Sequence, residues 1–150
     1  MWQTVEVIAM AIENDFLVQQ SQIDYGYKLH LDHPYDEVVT KVKDELKKEG
    51  FGVLSEIDVQ AKLNTALGAD FRKYLILGAC NPELAFEALQ QELDIGLMLP
   101  CNVVIYEDEG GCTVAVARPD RMAESAHNPN LEPVARQADE KLRRALTRLH

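Results

Sequence analysis

Basic residues are scarce in this chain of 150: Lys and Arg total 15 against 25 Asp and Glu, for a formal charge of -10. Such a field repels a phosphate backbone, and no basic cluster interrupts it before the end of the last predicted helix, so nucleic acid is disfavoured as a partner. Long apolar runs are missing as well. No stretch reaches the about 18 residues that a membrane-spanning helix requires, which argues against a membrane protein. The first 22 residues hold Glu6, Glu13 and Asp15 but neither Lys nor Arg, unlike the positive leader of a secretory signal. A cytoplasmic location is therefore expected. Cysteine is limited to Cys80, Cys101 and Cys112, an odd number at irregular spacing that does not read as a disulfide framework, and a reducing compartment would keep all three as thiols.

Metal and nucleotide signatures are also wanting. There is no Cys-x-x-Cys, and His30 and His33 straddle a predicted strand end from which they diverge, so no metal or cofactor is expected. The eight glycines form neither G-x-G-x-x-G nor G-x-x-x-x-G-K-[ST]. His127 sits in a polar loop without a serine elbow or oxyanion motif beside it, and reads as a surface histidine. Glu56 and Asp58 are candidate paired acids, although a capping role already accounts for Asp58.

What is present is enough apolar material, 47% of residues, for a chain of this size to bury about two-thirds of its unfolded surface in one core. Residues 2–20 place Val5, Ile8, Ile12 and Phe16 on one helical stripe. Residues 23–31 alternate as a half-buried strand with Ile23, Tyr25, Tyr27, Leu29 and Leu31 on one face. A helix follows, with Asp32 or His33 as cap, Pro34 in the first turn and Gly50 as stop. A short strand spans Phe51 to Ile57, and Asp58 caps a second helix whose Val59, Leu63, Ala66 and Leu67 face inward. Residues 71–79 read as a central strand covered on both faces, running into Cys80-Asn81-Pro82, where Asn81 caps a helix to about Glu92. Ile95 to Pro100 is too apolar for an exposed loop. Residues 101–107 and 112–118 form a hairpin about a glycine turn, an irregular stretch reaches Pro133, and a last helix carries Val134, Ala138, Leu142, Ala145 and Leu149 on one side.

The predicted architecture is α+β: two layers, with a mixed sheet of about five strands packed by helices in the order β-α-β-α-β-α-β-β-α, and an extra N-terminal helix. Residues 1–22 form an extension and residues 23–150 a single domain.

Two Cys-Asn corners, Cys80-Asn81 and Cys101-Asn102, are the sharpest candidate site. A thiol just before a helix N-terminus feels about half a positive charge, which favours thiolate, while the plainer reading is a small buried side chain filling a gap. Pairing Glu107 with Cys112 sets the hairpin register and puts Cys101 opposite Arg118, whose charge would lower the thiol's pKa. The same register holds Cys112 about five residues, roughly 17 Å, away from Cys101.

Four strings together carry a resemblance: Gly52 to Gln60 (GVLSEIDVQ), Leu75 to Pro82 (LILGACNP), Ile95 to Val103 (IGLMLPCNV) and Arg118 to Met122 (RPDRM). From about residue 24 to the end the chain resembles the bacterial and archaeal family catalogued as domain of unknown function 302. The resemblance implies a compact two-layer α/β fold, commonly homodimeric, with no established activity, cofactor or catalytic residue; both Cys-Asn corners fall on the family's signature. The functional expectation is a homodimeric module that binds a small ligand or partner at Cys80, Asn81, Cys101, Asn102 and Arg118. The alternative is a thiol-dependent enzyme or redox sensor with Cys80 as attacking thiolate, Cys101 as its partner and Arg118 assisting, so whether the chain is an enzyme stays open at this point.

Overall fold

A computed structural model of the chain describes residues 23–150. The amphipathic helix expected over residues 2–20 lies outside the described residues. Strand β1 (Gly26–Leu31) leads to helix α1 (Tyr35–Lys48), β2 (Gly52–Asp58), α2 (Val59–Leu67), β3 (Tyr74–Cys80) and α3 (Pro82–Gln91). A 3-10 segment (Leu93–Met98) precedes the hairpin β4 (Cys101–Asp108) and β5 (Gly111–Ala117). After it come α4 (Pro119–Glu124), a 3-10 turn (Pro129–Leu131) and α5 (Glu132–Thr147).

Local chemistry explains most boundaries. Asp58 Oδ1 accepts from the Ala61 amide at 3.0 Å and starts α2, and Gly68 ends it in the left-handed region. Asn81 Oδ1 does the same for the Leu84 amide at 3.3 Å, with Pro82 in the first turn of α3. At α1, by contrast, neither Asp32 nor His33 caps: Pro34 occupies that position with no side-chain bond, and the acids Asp36 and Glu37 face the positive end of the helix. The stretch after Pro119, expected to be irregular, instead winds into α4 and the 3-10 turn, each opened by a proline that presets φ.

The sheet runs β1-β5-β4-β3-β2, and each of its pairings is antiparallel. The mixed sheet expected from the strand-helix rhythm is thus corrected. A parallel crossover needs a helix lying on the sheet and burying one face there. α2 buries no residue, and Leu67 is 74% exposed, against the expectation that Val59, Leu63, Ala66 and Leu67 face inward. With no fully buried face, α2 connects β2 to a β3 that returns beside it in the opposite direction. The hairpin register is as expected, with Glu107 opposite Cys112 and Val103 opposite Val116.

One face of the sheet is the core. Cross-strand rows Leu29-Val114-Ile105-Leu75 and Tyr27-Val116-Val103-Leu77 lie under α1 and α5. These helices contribute Val38, Val42 and Leu46, and Val134, Ala138, Leu142, Ala145 and Leu146, all buried. Arg148 bonds Glu45 at 2.7 Å and Glu49 at 2.9 Å, and Arg144 bonds Glu49 at 2.9 Å, clamping the two helices together. No helix among the described residues is long and apolar enough to cross a membrane.

Leu142 is fully buried at the middle of this contact. Leu142→Ala should lower unfolding stability by about 2–5 kcal/mol in urea titrations, whereas Leu67→Ala, on the unburied helix, should change it by less than about 0.5 kcal/mol.

Candidate functional site

The two corners are built at neighbouring ends of β3 and β4, where Cys101 pairs with Ala79 and Asn102 with Gly78. A side chain at position 78 would collide with Ser55 Oγ and Pro100 Cγ, so glycine is what lets the 100–102 corner close over β3. Asn81 is committed to structure. Besides capping α3, its Nδ2 donates to the Glu49 carbonyl at 3.2 Å, tying the corner to the end of α1. Asn102 is exposed on the opposite face of the sheet.

The pleat separates the thiols. Ala79 and Cys101 share the core face and are buried, whereas Cys80, the next residue along β3, is turned the other way and half-buried. Both residues nonetheless border one cleft, of about 80 Å³, at the end of the core. Leu84 and Ala88 of α3, Met98 of the 3-10 segment, Met122 of α4 and Val134 of α5 form its walls, which are almost wholly apolar.

Activated thiolates are not what this setting makes. Burial, joined by the like charge of Cys80, pushes the Cys101 thiol up to about 11, and burial raises Cys80 above the ordinary thiol value. The expected lowering of both is corrected: desolvation outweighs the helix end, one of whose amides is already taken by Asn81. Arg118 does not lower Cys101 either. Its amide donates to the Tyr25 carbonyl at 2.9 Å as β5 ends, and the turn into α4 carries its guanidinium to Asp120, at 2.7 and 3.1 Å, and over the Tyr27 ring at 4.9 Å. Cys112 lies far along β5 beside Glu107, and its Sγ donates to the His33 carbonyl at 3.5 Å.

The remaining sequence candidates have separate places. Glu56 pairs with Lys43 and Asp58 caps α2, so the two acids do not act together. His30 lies between Asp32 and Asp108 at 3.2 and 2.9 Å, and His127 occupies a loop with φ 51°. Among the described residues no group of three or more His, Cys, Asp or Glu could hold a metal ion.

A second cluster escaped the sequence reading. Tyr27 donates to Asp139 Oδ2 at 3.0 Å, and the Asp120 carboxylate lies within hydrogen-bonding reach of Asp139. Burial, followed by the charge of Asp120, lifts Asp139 to about 6; burial and then Asp139 lift Tyr27 to about 12. Burial also presses on Asp120, but hydrogen bonds from Arg118 and Asp139 hold it below the usual carboxylate value. The guanidinium of Arg143 lies 5.3 Å from the Tyr27 ring. One signal was available in the sequence: Asp139 stands four residues after Ala135 and three before Leu142, on the apolar side of the last helix.

No curated protein matches the chain. The crystal structure of an uncharacterized conserved DUF302 protein from Bacillus stearothermophilus superposes with a TM-score of 0.79 at 30% identity, covering 84% of this chain and 98% of that one. The family model described as "Domain of unknown function DUF302" matches residues 27–149. The chain therefore belongs to the DUF302 family.

Proposed function

We propose that this domain is a homodimeric binding module whose cleft beneath the two Cys-Asn corners takes a small apolar ligand. The observation that carries this reading is the cleft itself, about 80 Å³ walled almost entirely by aliphatic and thioether groups. Protein interiors are normally filled to crystal-like density, so an apolar void at the end of a core is a place where a ligand gains contacts that water cannot supply. The walls come from segments spread along the chain from Phe51 to Ala138, and Met98 and Met122 are adaptable enough to close around an unfamiliar shape. Within this reading Cys101 contributes a soft apolar surface to the wall, and Asn81 keeps the mouth in shape through its bonds to Leu84 and Glu49.

The open face of the sheet supports pairing with a second copy. An antiparallel sheet with one face in water ordinarily carries polar side chains there. This one carries the row Ile57-Ile76-Val104-Ala115 and the stacked pair Tyr74 and Tyr106, whose ring centroids are 5.4 Å apart, with Phe71 beside them. A two-fold axis through such a face would bury like against like, the geometry of an isologous dimer.

Benzene is the probe for the cleft. At 100 times its dissociation constant it should raise unfolding stability by about 2.7 kcal/mol, and Ala88→Leu, which fills the cleft, should abolish that gain; no stabilisation, or the same one in the filled variant, would sink the ligand reading. Sedimentation equilibrium at micromolar concentration tests the pairing: the chain should run as a dimer and Val104→Glu as a monomer, while a monomeric parent chain would refute it. Alkylation by iodoacetamide separates binding from thiol chemistry. In the folded protein Cys101 should stay almost unreactive at neutral pH, its rate rising only toward about pH 11, and a fast neutral-pH reaction lost in Cys80→Ser would restore the redox alternative.

A further inference from the structure

We propose that a proton shared by Asp120 and Asp139 latches α4 onto α5 along one wall of the apolar cleft, and that loss of this proton loosens the α4 wall and eases entry of the ligand. The inference deepens the binding reading above and rests on it only for the word ligand; the latch itself is a property of the fold.

Asp120 and Asp139 are a pair of like groups. Asp139 is 9% exposed, its Oδ2 accepts from Tyr27, and its Oδ1 is sealed from solvent with no donor in reach. The neighbour within hydrogen-bonding reach is another carboxylate, that of Asp120. A buried carboxyl beside a part-exposed carboxylate is tolerated when one proton lies between them, because the protonated group then donates to the charged one. Asp120 is the member that keeps its charge, since the Arg118 guanidinium grips it at 2.7 and 3.1 Å. Asp139 is thus the member that carries the proton.

The position of the pair makes it a latch. Asp120 belongs to α4, whose Pro119, Met122 and Ala123 form one wall of the cleft, and Asp139 belongs to α5, whose Val134, Ala135 and Ala138 form the facing wall. α4 is a helix of 6 residues whose buried residue is Pro119, so it leans on α5 more than on any core of its own. When the Asp139 O–H bond breaks and the proton passes to water, the donor joining the helices is replaced by repulsion between two carboxylates. Asp120 keeps Arg118 and Asp139 keeps Tyr27, so the contact between α4 and α5 is the one that yields.

Other charges around Asp139 act on it in known directions. From β1 it faces Tyr27, from α4 Asp120, and from the end of β5 Arg118, whose positive charge favours ionisation. Arg143, on its own helix, lies over the Tyr27 ring, and Glu124, His127, Glu132 and Arg136 line the outer groove beside it. Burial and Asp120 prevail, and Asp139 reaches about 6 from an ordinary 3.8. With the folded value raised, the folded state holds a proton that the unfolded chain has already lost between these limits. The stabilisation is complete below the unfolded value and is lost as pH rises through about 6. Asp120, with its value lowered, stays ionised throughout that window.

The full chain with 13C-methyl-labelled methionine gives the test. The Met122 methyl resonance should shift with a midpoint near pH 6, and Asp139→Asn, whose amide donates to Asp120 at every pH, should abolish that shift. Asp120→Asn removes the repelling charge and should move the midpoint below about 5, which keeps the test open if one variant folds poorly. Benzene affinity should rise about tenfold from pH 5 to pH 7.5 in the parent chain and stay flat in Asp139→Asn. A Met122 signal that does not titrate, or that titrates equally in Asp139→Asn, overturns the latch. Benzene bound at neither pH beside a normal Met122 titration would instead overturn the ligand reading and leave the latch standing.

Discussion

The inner face of the sheet buries one continuous field of aliphatic side chains under α1 and α5, and every other feature depends on that contact. Leu77, Ile105 and Leu142 are wholly excluded from water at its centre. Such burial is worth roughly 1.5–3 kcal/mol for each large side chain, and it fixes α5 across β1 and β5 so firmly that buried Glu45 can be held against Arg148. Removing one partner of such a pair leaves an uncompensated charge, so the ion pairs set the relative position of the two helices more than they add stability.

The candidate site lies where this field runs out. At the ends of β3 and β4 the sheet stops short of α5, and the space beyond is enclosed by α3, the 3-10 segment and α4 rather than by a strand. Close packing is hard to achieve where many segments meet at different angles, which is why a void remains there and not beneath the central rows. The same geometry explains the chemistry of the thiol. Cys101 is carried into the end of the core by its pairing with Ala79, and a thiolate in that setting would lose its hydration with no cation in return. The apolar cleft and the raised thiol are two consequences of one placement.

Much of this was legible beforehand. The Asp58 and Asn81 caps, the Gly50 and Gly68 stops, the hairpin register and the buried stripe of the last helix all follow from residues within a few positions of one another. The family resemblance likewise rested on contiguous strings. Less legible were the elements whose state depends on what lies across from them. α2 has a respectable apolar stripe but buries none of it fully, and the rhythm of strand and helix suggested parallel pairing where antiparallel pairing formed. Arg118 was placed opposite Cys101 by correct register arithmetic, yet β5 ends one residue earlier and the chain turns the guanidinium toward Asp120.

By itself, then, the sequence determined where elements begin and end, which side of each strand is apolar, and which two corners draw attention, because capping, turn formation and pleat alternation are short-range effects written in neighbouring residues. Strand direction, the cleft and the titration of buried groups were decided by tertiary structure alone. Tyr27 and Asp139 are 112 positions apart, and Asp120 meets Asp139 from a different helix. A carboxyl group's affinity for its proton depends on the water removed and the charges brought near, and for Asp139 both are supplied by distant parts of the chain.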